Sequence, residues 1–169
     1  MTGLVTFRLG AREYATPLHA VREVVRLEGL ADLPGMTAPL AGVLDLRGTA
    51  LPVLDLRVGA APGSRGDVLV LEQAGADGTD GLVDGSSVGV AVDQVRAVVG
   101  PGELTPAGAA AQEGVLPAYV VEVLRGPDGV VFLVDLAAML ASARASASRG
   151  ASASSTASAR ATPAAAPPG

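Results

Sequence analysis

Short apolar runs, each cut off by glycine, proline or aspartate, constrain this chain more than any other feature. Residues 40–46, 51–56, 68–73, 88–92, 95–99, 119–124 and 130–134 are each long enough for a strand, and turn-forming residues separate them. Near the N-terminus Val5, Phe7 and Leu9 alternate with Thr6 and Arg8, which predicts a half-buried strand. Gly10 to Arg12 turns it and residues 14–18 return. Helix is predicted in two places only. Val21, Val24 and Val25 recur at helical spacing with Arg22, Glu23 and Arg26 around them, so residues 19–27 read as one short helix, and a closing helix runs from Leu136 into the Ala-Ser run. So many strands with so little helix between them predict an all-β fold, barrels or a sandwich rather than a parallel sheet.

From Ser142 onward the residues are mostly Ala, Ser, Pro and Arg, with no large apolar side chain to bury. The expected organisation is one domain over residues 1–141 and a tail, 142–169, disordered past its first few residues. The apolar runs are too short for a spanning helix, which needs roughly 18 to 20 residues. The N-terminus lacks a basic segment followed by an apolar one, so neither membrane insertion nor export is expected, and the expected location is the cytoplasm. Charge is unevenly placed. The tail holds Arg144, Arg149 and Arg160 and no acid, whereas residues 1–141 hold nine arginines against seventeen acids. An acidic folded part argues against nucleic-acid binding.

The residue inventory also narrows the chemistry. There is no cysteine and no lysine, and His19 is the single histidine. Thiolate and Schiff-base chemistry, sulfur-ligated metals and a Walker-type phosphate loop are therefore excluded. Gly85-Ser86-Ser87-Val88-Gly89 spells G-x-S-x-G, but a nucleophile elbow needs a strand before it, a helix after it and the histidine later in the chain. Here a polar loop precedes, a strand follows and His19 comes first. Asp77, Asp80 and Asp84 offer hard oxygen ligands, yet their spacing matches no calcium loop, and they read as solvated turn residues. Asp45, Asp55, Asp93 and Asp135 lie at strand ends, where carboxylates more often bond turn amides than gather into an acid–base pair. His19 is expected part-exposed at a helix start, and Tyr14 and Tyr119 as strand residues with the hydroxyl at a rim. The expectation is a protein without catalysis, metal or cofactor.

One hairpin stands out. Residues 40–46 and 51–56 flank Gly48 and Thr49. Pairing Leu46 with Leu51 and Leu44 with Val53 puts these four on one face, with Val43, Asp45, Pro52 and Leu54 on the other. A four-residue loop, Arg47 to Ala50, keeps Pro52 out of a hydrogen-bonded pair, where its missing N–H would be felt. Gly48 supplies positive φ, and Arg47 is left at the exposed tip on the side of Asp45. Such an arginine either anchors a partner's carboxylate or carbonyls, or pairs with Asp45 and stays hydrated.

The ordered set of Phe7-Arg8-Leu9-Gly10, Glu13-Tyr14-Ala15-Thr16-Pro17-Leu18, Val21-Arg22-Glu23-Val24, Leu33-Pro34, Gly42-Val43-Leu44-Asp45-Leu46-Arg47-Gly48, Pro52-Val53-Leu54-Asp55-Leu56, Val88-Gly89-Val90-Ala91-Val92-Asp93-Gln94-Val95, Tyr119 and Gly129-Val130-Val131-Phe132-Leu133-Val134-Asp135-Leu136 resembles the CheW family of bacterial chemotaxis adaptors. The resemblance covers about residues 3 to 141. It implies two small five-stranded SH3-like barrels packed around a shared core. It also implies a non-catalytic scaffold that couples the cytoplasmic tips of methyl-accepting chemoreceptors to the regulatory domain of the histidine kinase CheA. A docking module of the same kind serving a non-chemotaxis two-component or motility pathway is the alternative. Carried over onto this chain, Val21, Glu23, Gly42, Asp45, Arg47 and Gly48 are the implied protein-interaction residues. The chain departs from the family pattern in carrying Asp45 where asparagine is usual, Glu122 where a glycine is usual, and a long acidic linker over residues 76–85.

Overall fold

In a computed structural model of the chain, residues 3–35, 38–61, 64–72, 87–108 and 116–156 are described, with side chains as far as residue 149. The acidic linker and the calcium-loop aspartates Asp77, Asp80 and Asp84 lie outside the described residues, as do Gly85 and Ser86 and residues 157–169. The strands run β1 Leu4–Leu9, β2 Arg12–Pro17, β3 Glu23–Arg26, β4 Leu40–Leu46, β5 Thr49–Asp55, β6 Asp67–Glu72, β7 Ser87–Val92, β8 Gln94–Val99, β9 Thr105–Pro106, β10 Val120–Gly126 and β11 Gly129–Val134, and one helix, α1 Leu136–Thr156, follows.

They form two sheets, one in the order β8-β1-β2-β11-β10-β9 and one in the order β3-β6-β7-β5-β4. Each sheet repeats one plan. A hairpin (β4–β5, or β10–β11) is joined through a parallel step (β5 to β7, or β11 to β2) to an antiparallel pair, and a further antiparallel strand (β3, or β8) sits at the edge. The five-stranded lobe is built from five consecutive strands, β3 to β7, whereas the six-stranded lobe draws β1 and β2 from before that stretch and β8 to β11 from after it. Among the described residues neither sheet closes into a hydrogen-bonded ring. The five-stranded units that the resemblance implies are present as two open sheets, one of them with β9 added.

Packing follows strand alternation into three apolar clusters. On β6, Leu69 and Leu71 enter a cluster shared by both sheets and α1, whereas Val68 and Val70 enter the interior of the five-stranded lobe. On β7, Val88, Val90 and Val92 face the shared cluster and Ala91 the lobe interior. Both strands are buried on both faces, which is why they read as unbroken apolar runs rather than alternating ones. A smaller cluster of Ala15, Leu124 and Val131 fills the other lobe. The shared cluster also holds Phe7 stacked on Tyr14, ring centroids 5.8 Å apart, and Leu136, Met139 and Leu140 from the first turns of α1.

Two sequence expectations are corrected. The helix expected over residues 19–27 is a single 3₁₀ turn, Leu18–Ala20, followed by β3, which pairs Glu23 with Val70 and Arg26 with Asp67. Valines at positions 21, 24 and 25 fit helical spacing, but β-branched side chains are stiff at χ1 and suit a pleated strand. The edge of β6 offers that stretch a full ladder, and long-range pairing overrides a short local period. The central hairpin is shifted by two residues: Leu44 faces Leu51, Gly42 faces Val53 and Leu46 faces Thr49. Because the shift is even, every side chain keeps its expected face. The loop is Arg47-Gly48, with φ of 54° and 84°, the two positive values that a type I′ turn requires. Pro52 then opposes Val43, whose own N–H and C=O both bond Ala31 at 2.9 and 2.8 Å on the other side. The pair is non-hydrogen-bonded, and the proline is accommodated by moving the loop rather than lengthening it. The closing helix α1 runs from Leu136 to Thr156, into the Ala-Ser run, where alanine's high helix propensity favours it.

Candidate protein-interaction site

The tip of the β4–β5 hairpin is built from local rules. Asp45 Oδ1 accepts the Gly48 N–H at 2.7 Å, an Asx contact that ties the strand end to the turn. With its carboxylate engaged there, Asp45 does not hold Arg47. Arg47 Nη2 instead donates to Glu23 Oε2 at 3.0 Å, and Arg22 Nε lies 3.9 Å from Glu23 Oε1. The side chain of Arg47 is 79% exposed and that of Glu23 20%. β3 and β4 are the two edges of their sheet, so this ion pair links one edge strand to the turn that follows the other. The other lobe repeats the device with the charges exchanged, Arg96 on edge strand β8 reaching Asp128 in the β10–β11 turn at 3.5 Å.

The remaining interaction residues are placed differently. Gly42 lies back along β4, beneath the segment Leu30–Ala31. A Cβ there would meet the Ala31 carbonyl oxygen at 2.6 Å and Leu30 Cγ at 2.7 Å, so the glycine is required by close backbone approach. Val21 follows the 3₁₀ turn and packs, partly buried, against the shared cluster. The structure thus brings Glu23, Asp45, Arg47 and Gly48 together and gives Gly42 and Val21 packing contacts beside them. The Glu23 partner of Arg47 was out of reach of the sequence argument, because it depends on β3 being a strand.

The second Asp-Leu-Arg triplet meets a different fate. Arg57 has a side chain only 3% exposed. Its Nε and Nη2 clasp Asp55 Oδ1 and Oδ2 at 2.9 and 2.7 Å, and Nη1 donates to Ser64 O, Ser64 Oγ and Arg65 O at 3.0, 3.0 and 3.2 Å. The hydrogen bonds that Arg57 donates to the Asp55 carboxylate raise the Arg57 pKa above its ordinary value despite burial. The bidentate fork closes the loop that follows β5.

The other aspartates behave as strand-end residues. Asp93 Oδ2 accepts the Gly10 N–H at 2.6 Å and Asp135 Oδ1 the Ala138 N–H at 3.1 Å. Among the described residues no three His, Asp or Glu side chains gather as a metal site would need. His19 is exposed in the 3₁₀ turn, and Tyr14 is buried in the shared cluster. Ser87 opens β7, and its hydroxyl accepts from Arg22 Nη1 at 3.2 Å. No described helix is long and apolar enough to cross a membrane.

Comparison with known proteins agrees with this geometry. The scaffolding protein TtCheW from Thermoanaerobacter tengcongensis superposes with a TM-score of 0.55 over 79% of this chain and 88% of that one, at 22% sequence identity, a likeness of fold. A probable chemotaxis protein CheW of Rhizobium etli is 36% identical over 61 residues, 35% of this chain and 39% of that protein's length. The family model for the CheW-like domain matches residues 3–144, nearly all of the described strands and the anchored turns of α1, and the chain therefore belongs to the CheW-like domain family.

Proposed function

We propose that this protein is a non-catalytic chemotaxis adaptor of the cytoplasm, coupling chemoreceptor tips to the regulatory domain of a CheA-type histidine kinase. The observation that carries the reading is the Arg47 guanidinium, held on a two-residue turn and oriented by Glu23 while most of its surface stays open to solvent. A preorganised planar fork loses little freedom when it meets a partner's carboxylate or carbonyls. Val21, Glu23, Asp45 and Gly48 support it, and Gly42 keeps β4 seated. CheW-like domain membership supports a scaffold role, and the tied-off aspartates are consistent with it. The test is a titration of the full chain against a CheA regulatory domain and, separately, a receptor cytoplasmic tip. Arg47→Ala is expected to weaken at least one of the two interactions while leaving the melting temperature nearly unchanged. Absence of binding to both partners by the unmodified chain would overturn the reading.

A further inference from the structure

A second surface lies away from the Arg47 tip and shares no residue with it. The β1–β2 turn, the segment after β5, Tyr119 and the first half of α1 enclose an open groove of about 510 Å³. Its floor is apolar, made by Leu9, Tyr14, Leu56 and Met139. Arg12 stands on one rim, and on the other Ser146 is bonded by Arg149 Nη2 at 3.4 Å. Among the described residues no carboxylate lines the groove, although residues 1–141 carry nearly two acids for every arginine. Three carboxylates adjoining these elements in sequence are engaged elsewhere, Asp93 with the Gly10 amide, Asp55 with Arg57 and Asp135 with the Ala138 amide. At the lip Val58 is 97% exposed. The buried Arg57 next to it fixes the root of the loop, so this valine is held out in solvent by five directed hydrogen bonds rather than left there by slack chain.

An apolar trough with the Arg12 guanidinium on its lip, the Arg149 guanidinium one hydrogen bond beyond Ser146, and no ion pair to either among the described residues is complementary to a segment that carries leucine-like side chains on one face and carboxylates beside them. We propose that this groove docks an acidic amphipathic segment of a partner protein, its apolar side chains over Leu56 and Met139 and against Val58, its carboxylates on Arg12 and Arg149. The chain's own residues 157–169 carry Arg160 and no acid, so charge disfavours them as the occupant.

The probe is a fluorescein-labelled helical peptide alternating leucine pairs with glutamate pairs, titrated into the full chain by anisotropy, with a twin carrying lysine at every glutamate. Saturable binding of the acidic peptide alone is expected, with amide shifts in a ¹⁵N-labelled sample confined to Gly10–Arg12, Leu56–Val58, Tyr119 and the start of α1. Val58→Asp and Arg12→Glu should each weaken it about tenfold with an unchanged thermal melt, since both side chains are exposed. Arg47→Ala should leave it unaffected, which separates this surface from the adaptor reading. Equal binding of both peptides, shifts elsewhere, or wild-type affinity in the two variants overturns the proposal. So does concentration-dependent shifting of the groove residues in the protein alone, which would assign the groove to a second copy. A gain in peptide affinity on truncation after Thr156 would assign it to the chain's own end and likewise overturn the proposal.

Discussion

Replacing Arg57 with alanine removes one of the two charged residues, with Asp67, that the fold buries among the described residues. Five hydrogen bonds disappear, two of them the bidentate clasp on Asp55 and three the ties to Ser64 and Arg65. Breaking one partner out of a buried pair destabilises by about 3–5 kcal/mol because the other charge is left without compensation. Asp55 is 25% exposed, so water reaches part of its carboxylate and the loss belongs at the lower end, about 3 kcal/mol. For a domain of this size that corresponds to a fall in Tm of roughly 6–12 °C. Urea unfolding followed by circular dichroism measures it, with an unchanged m-value showing that the native state is otherwise intact. The double variant Asp55→Asn with Arg57→Ala should recover about 1–2 kcal/mol of the loss, since the stranded charge is gone. Arg57→Lys should recover only part, because an ammonium lacks the planar fork. A loss below about 1 kcal/mol in the single variant, or strict additivity in the double, would show that the pair is not acting as a buried clamp.

Arg47→Ala, by contrast, removes an exposed ion pair and should change stability by less than about 1 kcal/mol; a large drop in the urea midpoint would make Arg47 a structural residue. Gly42→Ala pushes a methyl group into the Ala31 carbonyl and Leu30, and should cost about 1–3 kcal/mol. Wild-type stability with weakened partner binding would instead make Gly42 a contact residue. Leu54→Ala, at 2% exposure in the shared cluster, should destabilise by about 3–5 kcal/mol, and a much smaller loss would mean that the two lobes are not packed on one another there. Burial pushes the Tyr119 phenol above its ordinary value of 10.0. Its neutral form is favoured in the folded state, so that contribution is complete below the unfolded pKa and is lost as pH rises through the folded one. Ultraviolet difference titration should find a phenol absent from Tyr119→Phe that ionises late, and an early transition would contradict its burial.

The all-β class, nearly every strand and the face of each hairpin side chain were legible in the sequence, because alternation and turn residues act over a few positions. Where the sequence reading failed, a local pattern met a distant competitor. Residues 23–26 carry a helical period but complete the ladder of β6, more than forty positions away in the register Arg26 to Asp67. The loop of the hairpin was read two residues too long, ending at Ala50 rather than Gly48, because the constraint that seats Pro52 is the Ala31–Val43 bridge, formed by a segment outside the hairpin.

The two Asp-Leu-Arg triplets divide what sequence and tertiary structure each decide. Local chemistry alone ends both apolar strands in a carboxylate, a leucine and a permanently charged fork, so strand, turn and side-chain polarity follow from the order of residues. It does not distinguish Arg47 from Arg57. Folding does, since the first sits on a tight turn facing solvent and reaches Glu23 of the opposite edge, and the second lies where Ser64 and Arg65 return over it and exclude water. Burial and partner are properties of surfaces meeting across the fold, and a charge becomes a contact or a clamp only once those surfaces are in place.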